Sequence, residues 1–305
     1  MNVLRCCMLT GPCDGSALTT KGRMGKGIGG AEIAIWGNCL LMNSSSEGNS
    51  VAPNCKVCGI RSTLFGEADV LRRYRVQYFR CDQCGFVQTE APYWLEEAYS
   101  SAIASQDVGI MQRNLLNCEV TTAVLNVFFP KVRSCVDFGA GHGVFVRLMR
   151  DRGFNFFWSD LHAENNYARG FESQQGATFD FLTAFEVLEH MVDPVAGFEQ
   201  LIELSEDLFL STCLVPEPAP RLGDWWYYVP ASGQHISFHT KESLRLLAGR
   251  FGRHLLSVGP YHLITKKPQS NLLYQFASRP RYARMINFAY RRASLVESDF
   301  QQMSR

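Results

Sequence analysis

Ser134-Cys135-Val136-Asp137-Phe138-Gly139-Ala140-Gly141-His142-Gly143-Val144 is the stretch whose reading decides the fold. Ser134 to Phe138 is a short apolar run, and it stops at a cluster of glycines. Val144 to Arg152 then carries helical patterning. A strand that ends in glycine and opens a helix is the first half of a βαβ unit. Downstream the same texture repeats. Phe154 to Leu161 reads as a strand with Asp160 near its end, and Phe179 to Phe185 reads as another. Pro194 to Leu204 reads as a helix with Asp193 as its N-cap. Leu208 to Val215 is a further strand. Thr240 opens a helix through Phe251, with Ser243 rather than Glu at the third position, so a full capping box is not expected. Leu255–Val258 and Tyr261–Thr265 flank Gly259-Pro260 as a terminal hairpin. This alternation predicts an open α/β sheet with helices on both faces.

Glycines at the turn let a ligand approach the backbone, and the helix N-terminus favours anionic or polar groups. A dinucleotide fingerprint, G-x-G-x-x-G, is not met, because the sixth position is Val144 and the third glycine comes one residue early. The pattern Asp137-x-Gly139-x-Gly141-x-Gly143 instead resembles the first motif of class I S-adenosylmethionine-dependent methyltransferases. Asp160, 23 positions after Asp137, stands where an acid can accept both ribose hydroxyls. The resemblance implies a Rossmann-like sheet and cofactor contacts from Asp137, Gly139, Gly141, Gly143, Asp160 and Phe185. Asp180 follows Asp160 by only 20 positions, so the usual third strand is expected to be short or missing, and the adenine contacts stay unassigned.

A second signal lies upstream. Cys55-Lys56-Val57-Cys58-Gly59 and Cys81-Asp82-Gln83-Cys84-Gly85 are two C-x2-C knuckles separated by 22 residues. Glycine after each pair tolerates the positive φ of a tight knuckle. Four thiolates make a closed tetrahedral zinc site, which is structural rather than catalytic. A small zinc-ribbon-like module over 51–91 is therefore expected, followed by a helical connector over 92–130.

A third signal is Glu186-Val187-Leu188-Glu189-His190. It resembles the E-V-x-E-H metal site of ubiquinone-biosynthesis O-methyltransferases and small-RNA 2′-O-methyltransferases. That likeness implies Mg or another divalent cation held by Glu186, Glu189, His190 and a downstream histidine. His235 is the best candidate, with His239 left open beside it. The same Glu186, Glu189 and His190 would be catalytic, activating an acceptor hydroxyl. The alternative is that the set is structural, with Glu186 holding the cofactor and His190 acting alone. Trp225-Trp226-Tyr227-Tyr228 reads either as a platform for a sugar ring or flat acceptor, or as packing against the zinc module. Residues 55–267 together resemble class I methyltransferases with an N-terminal C-x2-C…C-x2-C module. Such proteins occur in sugar-modifying contexts, which implies a sugar or glycan-type acceptor.

Composition frames these readings. The chain has 305 residues, with 46% apolar and 19% charged, as in a folded globular protein. Lys+Arg is 30 and Asp+Glu is 29, a net charge of +1, which argues against a strongly basic nucleic-acid binder. No run of 18 apolar residues suggests a membrane span. Eleven cysteines without an export signal point to thiols and a cytoplasmic protein. Residues 1–50, rich in Gly and Ser, read as a poorly ordered leader. The methyltransferase domain is expected over 131–267, and 268–305, with Arg279, Arg281, Arg284, Arg291 and Arg292, as a helical or loose basic tail. Two alternatives stand beside methyl transfer to a sugar hydroxyl. One is an RNA methyltransferase; the other is a zinc-stapled, non-enzymatic adaptor with a vestigial cofactor fold. The oligomeric state is left open.

Overall fold

A computed structural model describes residues 52–100 and 108–304 of the chain. All of them belong to one compact unit. The leader over 1–50, with Cys6, Cys7, Cys13 and Cys39, lies outside the described residues.

The N-terminal module is a meander of β1 (Ser62–Val70), β2 (Tyr74–Cys81) and β3 (Val87–Thr89). The first knuckle precedes β1 and the second joins β2 to β3. Both knuckles turn alike: Gly59 N–H donates to the Cys55 carbonyl and Gly85 N–H to the Cys81 carbonyl, each at 2.9 Å. Gly59 and Gly85 have φ of 78° and 70°, so the glycine requirement holds at both. The module does not close on itself, because β3 takes its outer partner from far along the chain.

A connector follows, with the short α1 (Leu95–Ala98) and the long α2 (Ile110–Phe128). Then come β4 (Cys135–Phe138), α3 (Val144–Asp151), β5 (Phe156–Ser159), β6 (Phe181–Phe185), α4 (Pro194–Leu204) and β7 (Leu208–Ser211). After a loop through a 3₁₀ turn at Trp226–Tyr228 come β8 (Ser237–Phe238), α5 (Lys241–Arg250), β9 (His254–Val258) and β10 (Tyr261–Thr265). The larger sheet has the order β5-β4-β6-β7-β10-β9. Its β5, β4, β6 and β7 run parallel, and β10 is antiparallel to both β7 and β9. Short β8 joins the other sheet, pairing Phe238 with Val87 and Ser237 with Gln88.

Alternation along each strand divides the core in two. Val136, Leu182, Ala184, Leu208, Leu210 and Ile264 face α4 and α5, and this cluster continues into Cys55, Cys81, Cys84 and Phe86 of the knuckles. Cys135, Phe181, Phe209 and Leu263 face the opposite way, against α2 and α3. Each fully buried Leu or Phe contributes about 1.5–3 kcal/mol, so both faces are needed.

Three expectations can be set against this architecture. The chain between β5 and β6 forms no third strand; only an isolated parallel bridge pairs Trp158 with Glu172 at the sheet edge. Thr240 and Ser243 do form a reciprocal capping box: Thr240 Oγ1 accepts from Ser243 N–H at 3.0 Å, and Ser243 Oγ accepts from Thr240 N–H at 2.9 Å. A serine oxygen at the third position reaches back as a glutamate would. Residues 268–305, expected as a helical or loose basic tail, take the helical form, with α6 (Asn271–Ala277), α7 (Pro280–Ala289) and α8 (Val296–Met303). Tyr274, Ala277 and Ala283 are buried in the core beside α2. Asp299 of α8 is buried and takes a bidentate pair from Arg150 of α3, at 2.6 and 2.8 Å. No helix among the described residues is long and apolar enough to cross a membrane.

Candidate functional site

β4 and β6 are parallel neighbours, with Asp137 opposite Thr183. Their carboxyl ends therefore deliver the glycine turn and the Glu186–His190 segment side by side, where α/β sheets bind ligands. The two segments touch: a Cβ on Gly139 would meet Val187 Cγ2 at 2.7 Å.

The three glycines of the turn differ in what they face. All have positive φ, at 71° for Gly139, 52° for Gly141 and 86° for Gly143. A Cβ on Gly143 would strike Asn165 Oδ1 at 2.7 Å, whereas one on Gly141 would meet nothing within 4 Å. Gly139 and Gly143 thus permit packing, and Gly141 leaves backbone open to a ligand. The donor end of α3 carries no side-chain cap, so its first N–H groups stay available.

The two acids read as cofactor ligands are partly occupied. Asp137 is buried and accepts a hydrogen bond from Thr183 Oγ1 at 2.6 Å. Burial pushes its carboxyl up to about 8. It sits beneath the turn. Asp160 accepts from the N–H groups of Gly141, His162 and Ala163, each at 2.8 Å. Gly141 belongs to the glycine turn, while His162 and Ala163 follow Asp160 in the loop after β5, so three of the four lone-pair sites of this carboxylate are engaged. Phe185 packs edge-on against Phe145 at 5.0 Å and Phe209 at 5.8 Å, which makes it a wall of the core.

Beyond β6 the backbone bends sharply at Glu186, a non-glycine residue with φ of 55°. That conformation costs of order 1 kcal/mol and is held by two bonds from Glu186 N–H, to the Ser211 carbonyl and to Ser211 Oγ. Leu188–His190 then forms a 3₁₀ turn. Ser211 Oγ donates to Glu186 Oε1 at 2.7 Å. The Tyr227 hydroxyl stands 2.6 Å from Glu189 Oε1 and 3.2 Å from Glu186 Oε2. Burial, and for Glu186 the neighbouring Glu189 charge, pushes both carboxyls up to about 7.

His190, Glu189 and His235 converge, each with a donor atom within 4.8 Å of the others. Glu186 and His239 are not in this trio. His239 instead is buried against Phe86 at 4.9 Å, with Nδ1 3.3 Å from Ser243 Oγ. His190 Nδ1 lies 3.1 Å from the Gln234 carbonyl, and His235 Nδ1 lies 2.8 Å from the Tyr227 carbonyl. A carbonyl only accepts, so both Nδ1 atoms carry the proton and both Nε2 atoms keep a lone pair. Burial holds His190 down to about 3 and lowers His235 as well, so both rings stay neutral. Glu189 Oε2 is buried without a hydrogen-bond partner. One orphaned carboxylate oxygen of Glu189 and one ring nitrogen from each histidine are groups of the kind that hold a divalent cation.

The aromatic run does not form an exposed platform. Tyr227 and Tyr228 are buried, and Tyr228 packs on Tyr78 and Phe238 of the N-terminal sheet. Trp226 alone is half exposed. Sequence reading missed two functional groups. Tyr227 was singled out for its ring, but its hydroxyl is what touches the carboxylates. Tyr99, whose hydroxyl is 3.0 Å from His190 Nδ1 and whose ring stacks on His162 at 5.1 Å, gave no local signal.

At the knuckles, the Cys55–Cys84 and Cys58–Cys81 sulfurs are 3.6 and 3.4 Å apart, and all four lie within 4.8 Å of one another. Zinc–sulfur bonds of 2.3 Å in a tetrahedron need about 3.8 Å between sulfurs. The cluster fits that ion. The Cys84 thiol holds Cys55 down to about 5, while burial pushes Cys58 up to about 11, so only a cation would keep all four deprotonated.

Residues 111–258 match a family model described as a methyltransferase domain. No curated protein matches the chain. Among solved structures, the chain is similar to an O-methyltransferase family protein from Burkholderia thailandensis, at 15% identity over 56% of this chain and 66% of that one, with a TM-score of 0.41. It is also similar to a magnesium protoporphyrin IX methyltransferase from Synechocystis, solved with bound SAM, at 18% identity over 56% of this chain and 86% of that one, with a TM-score of 0.35. The chain thus spans just under two thirds of the first of these proteins. Residues 111–258 of this chain are a methyltransferase domain, the domain of an enzyme.

Proposed function

We propose that the protein is an S-adenosylmethionine-dependent methyltransferase that places the methyl group on a hydroxyl of a sugar or glycan-type small acceptor. The convergence of Glu189, His190 and His235 beside an open glycine turn carries this reading. Gly141 and the free N–H groups of α3 would receive the cofactor, with Asp160 bracing the turn and offering one acceptor position to a ribose hydroxyl. Glu189, His190 and His235 would hold a divalent cation, magnesium being the simplest choice. Such an ion lowers the pKa of a chelated hydroxyl.

The chain's own groups do the rest. Carbonyls of Gln234 and Tyr227 fix both imidazole tautomers. Tyr227 fixes Glu189 Oε1 and leaves Oε2 for the ligand. Glu186, whose carboxyl burial raises to about 7, would receive the proton that the acceptor loses. Transfer is then an in-line displacement governed by positioning. The four cysteines would hold a structural zinc.

A methyl-transfer screen with labelled cofactor against sugar nucleotides, glycans and RNA tests the reading. Transfer to a hydroxyl acceptor, lost on chelation and in His235→Ala, is expected. Transfer confined to RNA, or wild-type rates in His235→Ala, would overturn the acceptor assignment. Unchanged cofactor affinity in Asp160→Ala, measured by calorimetry, would overturn the cofactor assignment.

A further inference from the structure

The C-terminal helices carry a surface that methyl transfer does not use. On α7, Arg281, Arg284, Met285 and Phe288 are exposed at positions i, i+3, i+4 and i+7, which is one helical stripe. Phe288 is 75% exposed and Met285 66%. Arg291 lies over the Phe288 ring at 5.0 Å and extends the stripe. On the adjoining α6, Leu272, Leu273 and Phe276 are exposed too, and Phe276 meets Tyr282 of α7 at 5.0 Å. Both helices are anchored from behind, by Tyr274, Ala277 and Ala283 in the core and by Asn287 Nδ2 on Glu119 of α2. The exposed side chains therefore project from a fixed support.

Charge says what fits them. Residues 266–292 contain Lys266, Lys267, Arg279, Arg281, Arg284, Arg291 and Arg292, and no acid. Lys266 is engaged by Glu206, and Arg292 by the Pro130 carbonyl and the Phe154 ring. Arg279, Arg281, Arg284 and Arg291 are exposed, and of these Arg284 acts on the Glu119 carboxyl through space, lowering it. A second copy packed by two-fold symmetry would bring these arginines against themselves, which like charge disfavours. RNA would satisfy the arginines but leave Leu272, Leu273 and Met285 facing water. A lipid surface satisfies both: anionic headgroups take the arginines, and the acyl boundary takes Leu, Met and Phe.

We infer that α6 and α7 form a peripheral docking face for an anionic phospholipid bilayer. The inference stands independently of the methyl acceptor. Co-sedimentation of the full chain with phosphatidylcholine vesicles, with and without about one third phosphatidylglycerol, tests it. Retention by the anionic vesicles alone is expected, weakening as salt rises. Arg281→Glu with Arg284→Glu should weaken retention roughly tenfold or more and flatten the salt dependence. Met285→Ser with Phe288→Ser should weaken it while keeping the salt slope. All four positions are exposed, so both variants should melt like the wild type. Equal retention by neutral vesicles, retention unchanged in both variants, or none at low salt would overturn the inference. So would a solution dimer that Met285→Ser with Phe288→Ser dissociates, or an RNA complex in place of vesicle binding.

Discussion

Gly141 and Gly143 share a motif and a backbone region, yet they do different things. Gly143→Ala meets both a positive φ and Asn165 Oδ1, so a loss of about 1–3 kcal/mol is expected in urea titration. Gly141→Ala has open space around it. It should cost only the strain of its positive φ, about 1 kcal/mol, and otherwise fall on cofactor affinity. Equal destabilisation by the two would contradict this division. Asp137 shows a second kind of residue-scale effect. Its carboxyl titrates near 8 when folded, above its ordinary value. The folded chain thus binds a proton that the unfolded chain has released. That stabilisation is complete below about pH 4 and is lost as pH rises through 8. Asp137→Asn should therefore gain at least ~1 kcal/mol relative to wild type between pH 5 and pH 9. Parallel pH profiles for the two proteins would refute the assignment. Asp137 was legible as important from its place in the motif. Its direction was not, because Thr183, the partner that draws it under the turn, lies on another strand.

Among the elements, α5 and α8 carry the sharpest tests. Thr240 caps α5, and its hydroxyl also donates to the Cys84 carbonyl of the second knuckle. Thr240→Ala should cost about 1 kcal/mol or somewhat more, read from thermal or urea unfolding. The serine that completes this box was visible in the sequence, but its reach was judged by residue type, and only the backbone angle at the cap decides it. α8 is held by one buried carboxylate. Asp299 accepts from Arg150 at 2.6 and 2.8 Å and from Arg147 at 2.8 Å. Asp299→Ala leaves Arg150 buried and uncompensated, for an expected loss of 3–5 kcal/mol, to about the nearest kcal/mol. A loss below ~1 kcal/mol would mean that α8 adds little. Burial alone would raise the Asp299 carboxyl, but the Arg150 and Arg147 hydrogen bonds outweigh it and hold it low. Its contribution is present above the ordinary carboxylate range and fades as pH falls through the lowered value. Nothing near Asp299 in sequence announces Arg150, which lies 149 positions away.

At the scale of the molecule, the cysteine module and the methyltransferase domain share a sheet. β3 pairs with β8, Thr89 N–H donates to the Ile236 carbonyl, and Ile236 N–H donates to the Glu189 carbonyl. His235 is thus suspended between the knuckles and the acidic turn. If the cysteines hold zinc, Cys81→Ser should release the metal, lower the melting temperature by several degrees and speed amide exchange across 233–239. Metal loss without faster exchange in that segment would show that the two sites are uncoupled.

The local sequence determined the parts whose causes are local. Strand–helix alternation, the glycine turn and both knuckles follow from periodicity, φ preference and ligand spacing, all of which act over a few residues. Tertiary structure decided what those parts do. It engaged Asp160 with the turn, drew Asp137 beneath it, brought His235 rather than His239 beside Glu189 and His190, placed the Tyr227 hydroxyl on two carboxylates, and left Arg281 and Arg284 exposed on α7. Each of those outcomes depends on which segments a twisted sheet brings together across tens to hundreds of residues, and such contacts leave no mark in local sequence.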